Sequence, residues 1–257
     1  MSPIKTWVAY KTIVNKELKR CFRIWPQTIL PPAITMTLYF VIFGKLIGSQ
    51  VRHIEGYTYM QYIVPGLIMM SVITNAYINA SSSFYGAKFQ RSIEEILVSP
   101  TPNWIILLGY VSGSVARGLI VGVIVSAIAL LFTHLGIHHF WLMLGVILMT
   151  AVLFSTAGVI NGIYAKKFDD VSWVPTFVIT PLTYFGGVFF SISMLSGVWR
   201  KIAYLDPVFY IINAFRYSLL GISSANLALS IAVMFFVTLL AFIYALYLLK
   251  TSEGLRN

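Results

Sequence analysis

Four charged side chains, Lys88, Arg91, Glu94 and Glu95, fall within eight positions of KFQRSIEEILVSPTP, residues 88–102. Two neighbouring carboxylates on one short segment suit a basic groove on a soluble partner; the blander alternative is a solvated loop helix. Elsewhere the chemistry is sparse. Asp169 and Asp170 sit beside Lys166 and Lys167 in YAKKFDDVSW, where a solvated turn accounts for them better than metal ligands do. His134, His138 and His139 contain one i, i+4 pair but have no acid or cysteine nearby to complete a site. Cys21 is the single cysteine, which excludes an internal disulfide and a thiolate cluster. The sequence contains no Gly-x-x-x-x-Gly-Lys-[Ser/Thr] phosphate loop and no nucleophile elbow. We therefore expect no catalytic residue, no metal and no cofactor on this chain, and any nucleotide that drives it should bind elsewhere.

The elements that position these residues are built for lipid. Of 257 residues, 58% are hydrophobic and 10% charged, against about 45–50% and about 25% in soluble domains. Six apolar runs approach the length of about 20 residues that a spanning helix needs: 27–48, 62–84, 105–132, 141–164, 174–191 and 228–249. None alternates with a period of two, so the expectation is a single all-α integral membrane domain, not a barrel. The fifth run is interrupted by Pro175 and Pro181. About 35 residues follow it, too apolar for an aqueous loop and too broken for a crossing, and we read them as half-length helices re-entering from the outer side.

Orientation follows from the basic residues. With the N-terminus inside, the cytoplasmic side holds Lys5, Lys11, Lys16, Lys19, Arg20, Arg23, Lys88, Arg91, Lys166, Lys167, Lys250 and Arg256. The other side holds Lys45, Arg52, Arg200, Lys201 and Arg216. That asymmetry puts both termini in the cytoplasm. It also explains the net charge of +10 by topology, so no nucleic-acid partner is needed. Residues 4–25 lack the compact apolar core of a cleavable signal. Ile4, Trp7, Val8, Val14, Leu18, Phe22 and Trp25 recur at helical spacing among lysines and arginines, which predicts an amphipathic helix lying in the cytoplasmic interface.

All eight acids, including Glu17, fall outside the six runs. A carrier driven by protons or sodium normally holds a carboxylate at mid-membrane, so ion-coupled secondary transport is disfavoured. An integral-membrane lipid-processing enzyme would need convergent acids or histidines, which the inventory lacks. Arg117 is the one clearly intramembrane charge on this reading. It faces protein, a cavity or the inner interface, either attracting a lipid phosphate or acidic saccharide or serving as scaffold. Asn75 and Asn79, one turn apart before Ser81, Ser82 and Ser83, either bond neighbouring helices or line a path. Gly118-x-x-x-Gly122 and Gly158-x-x-x-Gly162 permit close helix packing.

Phe89, Ile93, Ile96 and Leu97 share one helical face within the charged stretch, with Lys88, Arg91 and Glu95 opposite, and Pro100 and Pro102 end it. On a helix over 88–99 the bases lie N-terminal and the acids C-terminal, opposing the macrodipole.

RSIEEILVSP resembles the cytoplasmic coupling helix of ABC-2 type transporter permeases, with Glu94, Ser99 and Pro100 matching that family's glutamate, threonine and proline. YIVPGLIMMSVITNAY, TPLTYFGGVFFS and LDPVFYIINAFRYSLLGI are similar to the same family, and the likeness covers nearly the whole chain. The chain departs at Arg91, where the family often has glycine, and at MLSGVW, where a proline commonly precedes the tryptophan. The resemblance implies a six-helix subunit of the bacterial inner membrane, paired with a second copy of itself and with two copies of a soluble ATPase that holds ATP and magnesium. It implies export of a lipid, saccharide or drug-like substrate, with Glu94, Glu95, Arg91 and Lys88 at the ATPase contact. The path would run along the dimer interface, past Asn75, Asn79, Arg117, Tyr184 and Phe185.

Overall fold

The computed structural model describes residues 3–48, 50, 53–134 and 136–251. Arg52, Glu253, Arg256 and the side chain of Lys45, all used above, lie outside the described residues.

The fold is a helical bundle whose mast is α3 (Tyr59–Phe89). Thr58 and Gln61 start this helix with reciprocal side-chain to backbone hydrogen bonds, and its 31 residues extend about 46 Å. In its most apolar 18-residue window, 89% is buried, against 11% for α11 (Leu227–Thr251), so α3 is the centre and α11 a flank. Against α3 lie α5 (Asn103–Leu130) and α6 (Phe140–Tyr164). Their glycine pairs bring them close. A Cβ at Gly118 would sit 3.0 Å from Ala76, at Gly122 2.8 Å from Val72, at Gly158 2.5 Å from the Tyr77 carbonyl and at Gly162 3.0 Å from Phe84. Small residues here exchange side-chain volume for backbone approach, which in lipid is the main source of helix association.

Among the described residues five helices are long and apolar enough to cross a membrane: Trp25–Gly44, Tyr59–Phe89, Asn103–Leu130, Phe140–Tyr164 and Leu227–Thr251. The first comprises α2 (Trp25–Tyr39) and the start of a π-helical continuation, Phe40–Ile47. A hairpin of two-residue strands, β1 (His53–Ile54) and β2 (Tyr57–Thr58), then turns on Glu55 and Gly56, both at positive φ, and delivers the chain to α3.

The expected run over 174–191 does not form as one helix. The helical path begins earlier, with α7 (Phe168–Val174), passes through a π-helical turn, Pro175–Ile179, and ends with α8 (Thr180–Phe185). Pro175 and Pro181 lack the N–H that an α-helical ladder requires, and Gly187, at φ 84°, turns the chain away. Beyond it, α9 (Gly197–Leu205) and α10 (Pro207–Leu220) are 9 and 14 residues long, half-length as expected. Gly197, at φ 56°, starts α9. Asp206 accepts from the Val208 N–H at 2.8 Å to start α10, which packs between α3, α6 and α11.

The N-terminal helix α1 (Pro3–Arg23) forms over the residues whose helical spacing predicts it. It runs alongside the first half of α5 in parallel register. The Tyr10 hydroxyl lies 2.9 Å from that of Ser112, Ile13 fits over Gly109, and Glu17 fits over Gly113. The face turned inward is Ile13, Glu17 and Cys21, while Ile4, Trp7, Val8, Phe22 and Trp25 stay exposed. Two glycines on α5 form a groove, and a groove selects residues by shape and hydrogen bonding, not by hydropathy alone.

Candidate functional site

The chain leaves α3 through Gln90 and Arg91 and re-forms as α4 (Ser92–Val98). Arg91 adopts φ 58°, a left-handed conformation that costs an L-residue about 1–2 kcal/mol and costs glycine nothing. The turn corrects the expected charge pattern. Lys88 belongs to α3, Arg91 precedes α4, and Glu94 and Glu95 occupy the first turn, where the macrodipole favours acids. Ile93 is fully buried with Phe84, Ala87, Ile106 and Leu107, so it anchors α4 while both carboxylates face outward. Phe89 and Val98 flank them, 65% and 85% exposed, giving an acidic patch with apolar edges. The Lys88 ammonium turns the other way and donates to the carbonyls of Ile163 (2.8 Å) and Ala165 (3.1 Å), holding the end of α6.

A second concentration of polar groups lies where α1, α3 and α5 meet. Asn79 is its hub: its Oδ1 accepts from Arg20 at 2.7 Å and from Arg117 at 3.2 Å, and its Nδ2 donates to Ser114 at 2.9 Å. Glu17 is 1% exposed, accepts from the Ser83 hydroxyl at 2.6 Å and pairs with Arg20 at 3.5 Å. Glu17 lies outside the six apolar runs, yet α1 carries its carboxylate into the bundle. The sequence placed it on a basic, surface-seeking helix, and only the α5 groove shows that its face is the buried one.

Asn75 lies one turn from Asn79 but outside this network. Its Nδ2 donates to the Ser71 carbonyl at 3.0 Å, and with Arg117 it lines a cavity between α2 and α3. Tyr184 and Phe185 are separate again, on α8. The Tyr184 hydroxyl lies 3.4 Å from that of Tyr39, and Phe185 stacks on Trp199 with centroids 5.9 Å apart. The expected path residues thus divide among three places.

Arg117 is not the lone enclosed cation. Arg216, 3% exposed, donates to the carbonyls of Gly187 (2.7 Å) and Tyr62 (3.3 Å) and lies 4.0 Å from the Tyr62 ring centroid. It ties α10 to α3 and to the turn after α8. Counting it with the outer basic residues missed this, because α10 follows no long apolar run. The N–H groups of His138 and His139 both bond the Ser218 carbonyl and their rings meet Tyr217, a structural use. Asp170 accepts from the N–H groups of Lys166 and Lys167 at 2.9 and 3.0 Å, as a turn residue does. Among the described residues no three of His, Cys, Asp and Glu group to hold a metal ion.

An acidic helix pinned at one end of a glycine-packed bundle coincides with a family-level match: residues 8–220 fit the model of the ABC-2 type transporter. The chain belongs to the ABC-2 type transporter family. The ABC-2 region so defined runs from α1 to the end of α10 and includes both polar sites. Along 251 residues, 98% of each chain, the protein is 53% identical to the inner membrane transport permease YadH of Escherichia coli K12. It is 26% identical over 218 residues, 83% of each chain, to nodulation protein J of Rhizobium leguminosarum bv. viciae.

Proposed function

We propose that this chain is the membrane permease subunit of an ATP-binding cassette exporter in the bacterial inner membrane. It works as a homodimer with two copies of a soluble ATPase, which hold ATP and magnesium, and it moves a lipid, saccharide or drug-like substrate out of the cytoplasm or inner leaflet. Family membership and the name of the relative from Escherichia coli support the transport reading. The observation that carries the coupling reading is α4: Ile93 fixes it to the bundle while Glu94 and Glu95 project from its first turn. A movement imposed on such a helix by a basic groove reaches α3 and α5 through buried contacts.

The sixth crossing is the interrupted rod from Phe168 to Phe185, about 27 Å long. With it, α1, α4, the α6–α7 turn and the end of α11 fall on one side, and the excess of lysine and arginine there makes that side cytoplasmic. Ion coupling finds little support, since Glu17 is already paired with Arg20.

The test is co-purification. A tagged chain should bring down a soluble ATPase with a phosphate loop, and Glu94→Arg with Glu95→Arg should abolish coupled ATP hydrolysis while insertion persists. Unchanged substrate-stimulated hydrolysis in that variant would refute the coupling role.

A further inference from the structure

Among the described residues, Arg117 is a cation enclosed in the bundle without an anion bonded to it. It is 8% exposed, its Nη1 donates to the neutral Asn79 Oδ1 at 3.2 Å, and its Nε has no hydrogen-bond partner. The carboxylate of the same cluster, Glu17, is bonded to Ser83 and paired with Arg20. Two guanidinium groups against one carboxylate leave the cluster with a positive charge to spare. Holding an arginine at the centre of a spanning helix costs about 2.5–3.5 kcal/mol on insertion scales, so an uncompensated one marks a place where an anion is stabilised.

The guanidinium forms part of the wall of a partly open cavity of about 350 Å³ between α2 and α3. Asn75 and Ser71 supply polar lining from α3, and Pro31, Pro32 and Met36 supply apolar lining from α2. The two prolines have no N–H to offer the preceding turn of α2, which weakens the helix ladder where the cavity forms. The cavity therefore joins a cation and hydrogen-bonding groups, Gln27 and Thr35 of α2 among them, to apolar surface from both helices.

We propose that this cavity binds a phosphate-type oxyanion. Arg117 supplies the charge, Asn75 supplies a hydrogen bond, and Pro31, Pro32 and Met36 cover any apolar part of the same ligand. The inference rests on the chain spanning a bilayer and not on its coupling to an ATPase, so the two fail separately.

The test is native mass spectrometry of the full chain, equilibrated with equal amounts of phosphatidic acid and phosphatidylcholine carrying the same acyl chains. Phosphatidic acid should be retained about tenfold more, corresponding to about 1.4 kcal/mol. Arg117→Gln should bring the ratio close to one. Because that change also disturbs Asn79, Asn75→Asp provides a second test: it keeps the volume, places a carboxylate near Arg117, and should abolish the preference with thermal stability retained or raised. Millimolar inorganic phosphate distinguishes the sources. If it leaves phosphatidic acid bound, the oxyanion is a lipid headgroup; if it displaces the lipid, the oxyanion belongs to a soluble phosphate compound, and either result supports the site. Equal retention of the two lipids by the unaltered chain overturns the proposal. So does a preference that survives in folded Arg117→Gln and Asn75→Asp, or one that is lost when Lys16, Lys19 and Arg23 on the α1 surface are changed to Gln.

Discussion

At Arg91 a single backbone angle reshapes the charge pattern around it. The left-handed residue ends α3, restarts the chain as α4 and moves both carboxylates to the favourable end of the new helix. Arg91→Gly should raise the thermal stability of the isolated chain, by about 1 kcal/mol at the turn. If the guanidinium also touches the ATPase, the same variant will lose part of the stimulated hydrolysis, and unfolding measured beside hydrolysis separates the two effects. Glu17 makes the opposite case. Removing it in Glu17→Ala leaves Arg20 and Arg117 together without a carboxylate and should cost about 3 kcal/mol, since breaking a buried pair strands the remaining charge. Glu17→Gln can keep the Ser83 hydrogen bond and should unfold between the two in a detergent melt.

Among the elements, α3 and α6 depend on contact through glycine. Gly158→Val should force the helices apart, because a Cβ there already meets the Tyr77 carbonyl at 2.5 Å, and overpacking of this kind costs about 1–3 kcal/mol. Gly145, on the same helix, faces open space, so Gly145→Ala should be neutral or gain up to about 1 kcal/mol of helix propensity. The melting temperatures of the two variants should therefore diverge. The α6–α7 turn is held by Asp170, which accepts from the N–H groups of Lys166 and Lys167. Asp170→Asn should weaken both bonds, and hydrogen exchange at Lys166 and Lys167 should accelerate.

For the whole molecule, orientation is the property on which the proposed coupling of α4 to an ATPase depends. A membrane-impermeant thiol reagent should label Glu95→Cys in sealed inside-out vesicles and His53→Cys in sealed right-side-out vesicles. The native Cys21, 4% exposed, should stay silent in both. Labelling of both introduced positions from one side would contradict the bundle's alternation.

The sequence determined the solvent, the number of long apolar runs to within one, the half-length helices after the fifth run, the glycine contacts and the family. These follow from local composition and spacing, because in lipid each helix must satisfy its own backbone. It could not determine which face of α1 is buried, since Glu17 enters the bundle only through the fit of Gly109 and Gly113 on a helix some ninety residues away in sequence. Nor could it separate Lys88 from Glu94, because the break at Arg91 is a backbone conformation that glycine would have announced and arginine concealed. Pairing Arg20 and Arg117 on Asn79, with Arg117 beside a cavity, required α1, α3 and α5 to be brought together. Charge and hydropathy are properties of one segment; compensation of a buried charge is a property of the neighbours that tertiary packing supplies.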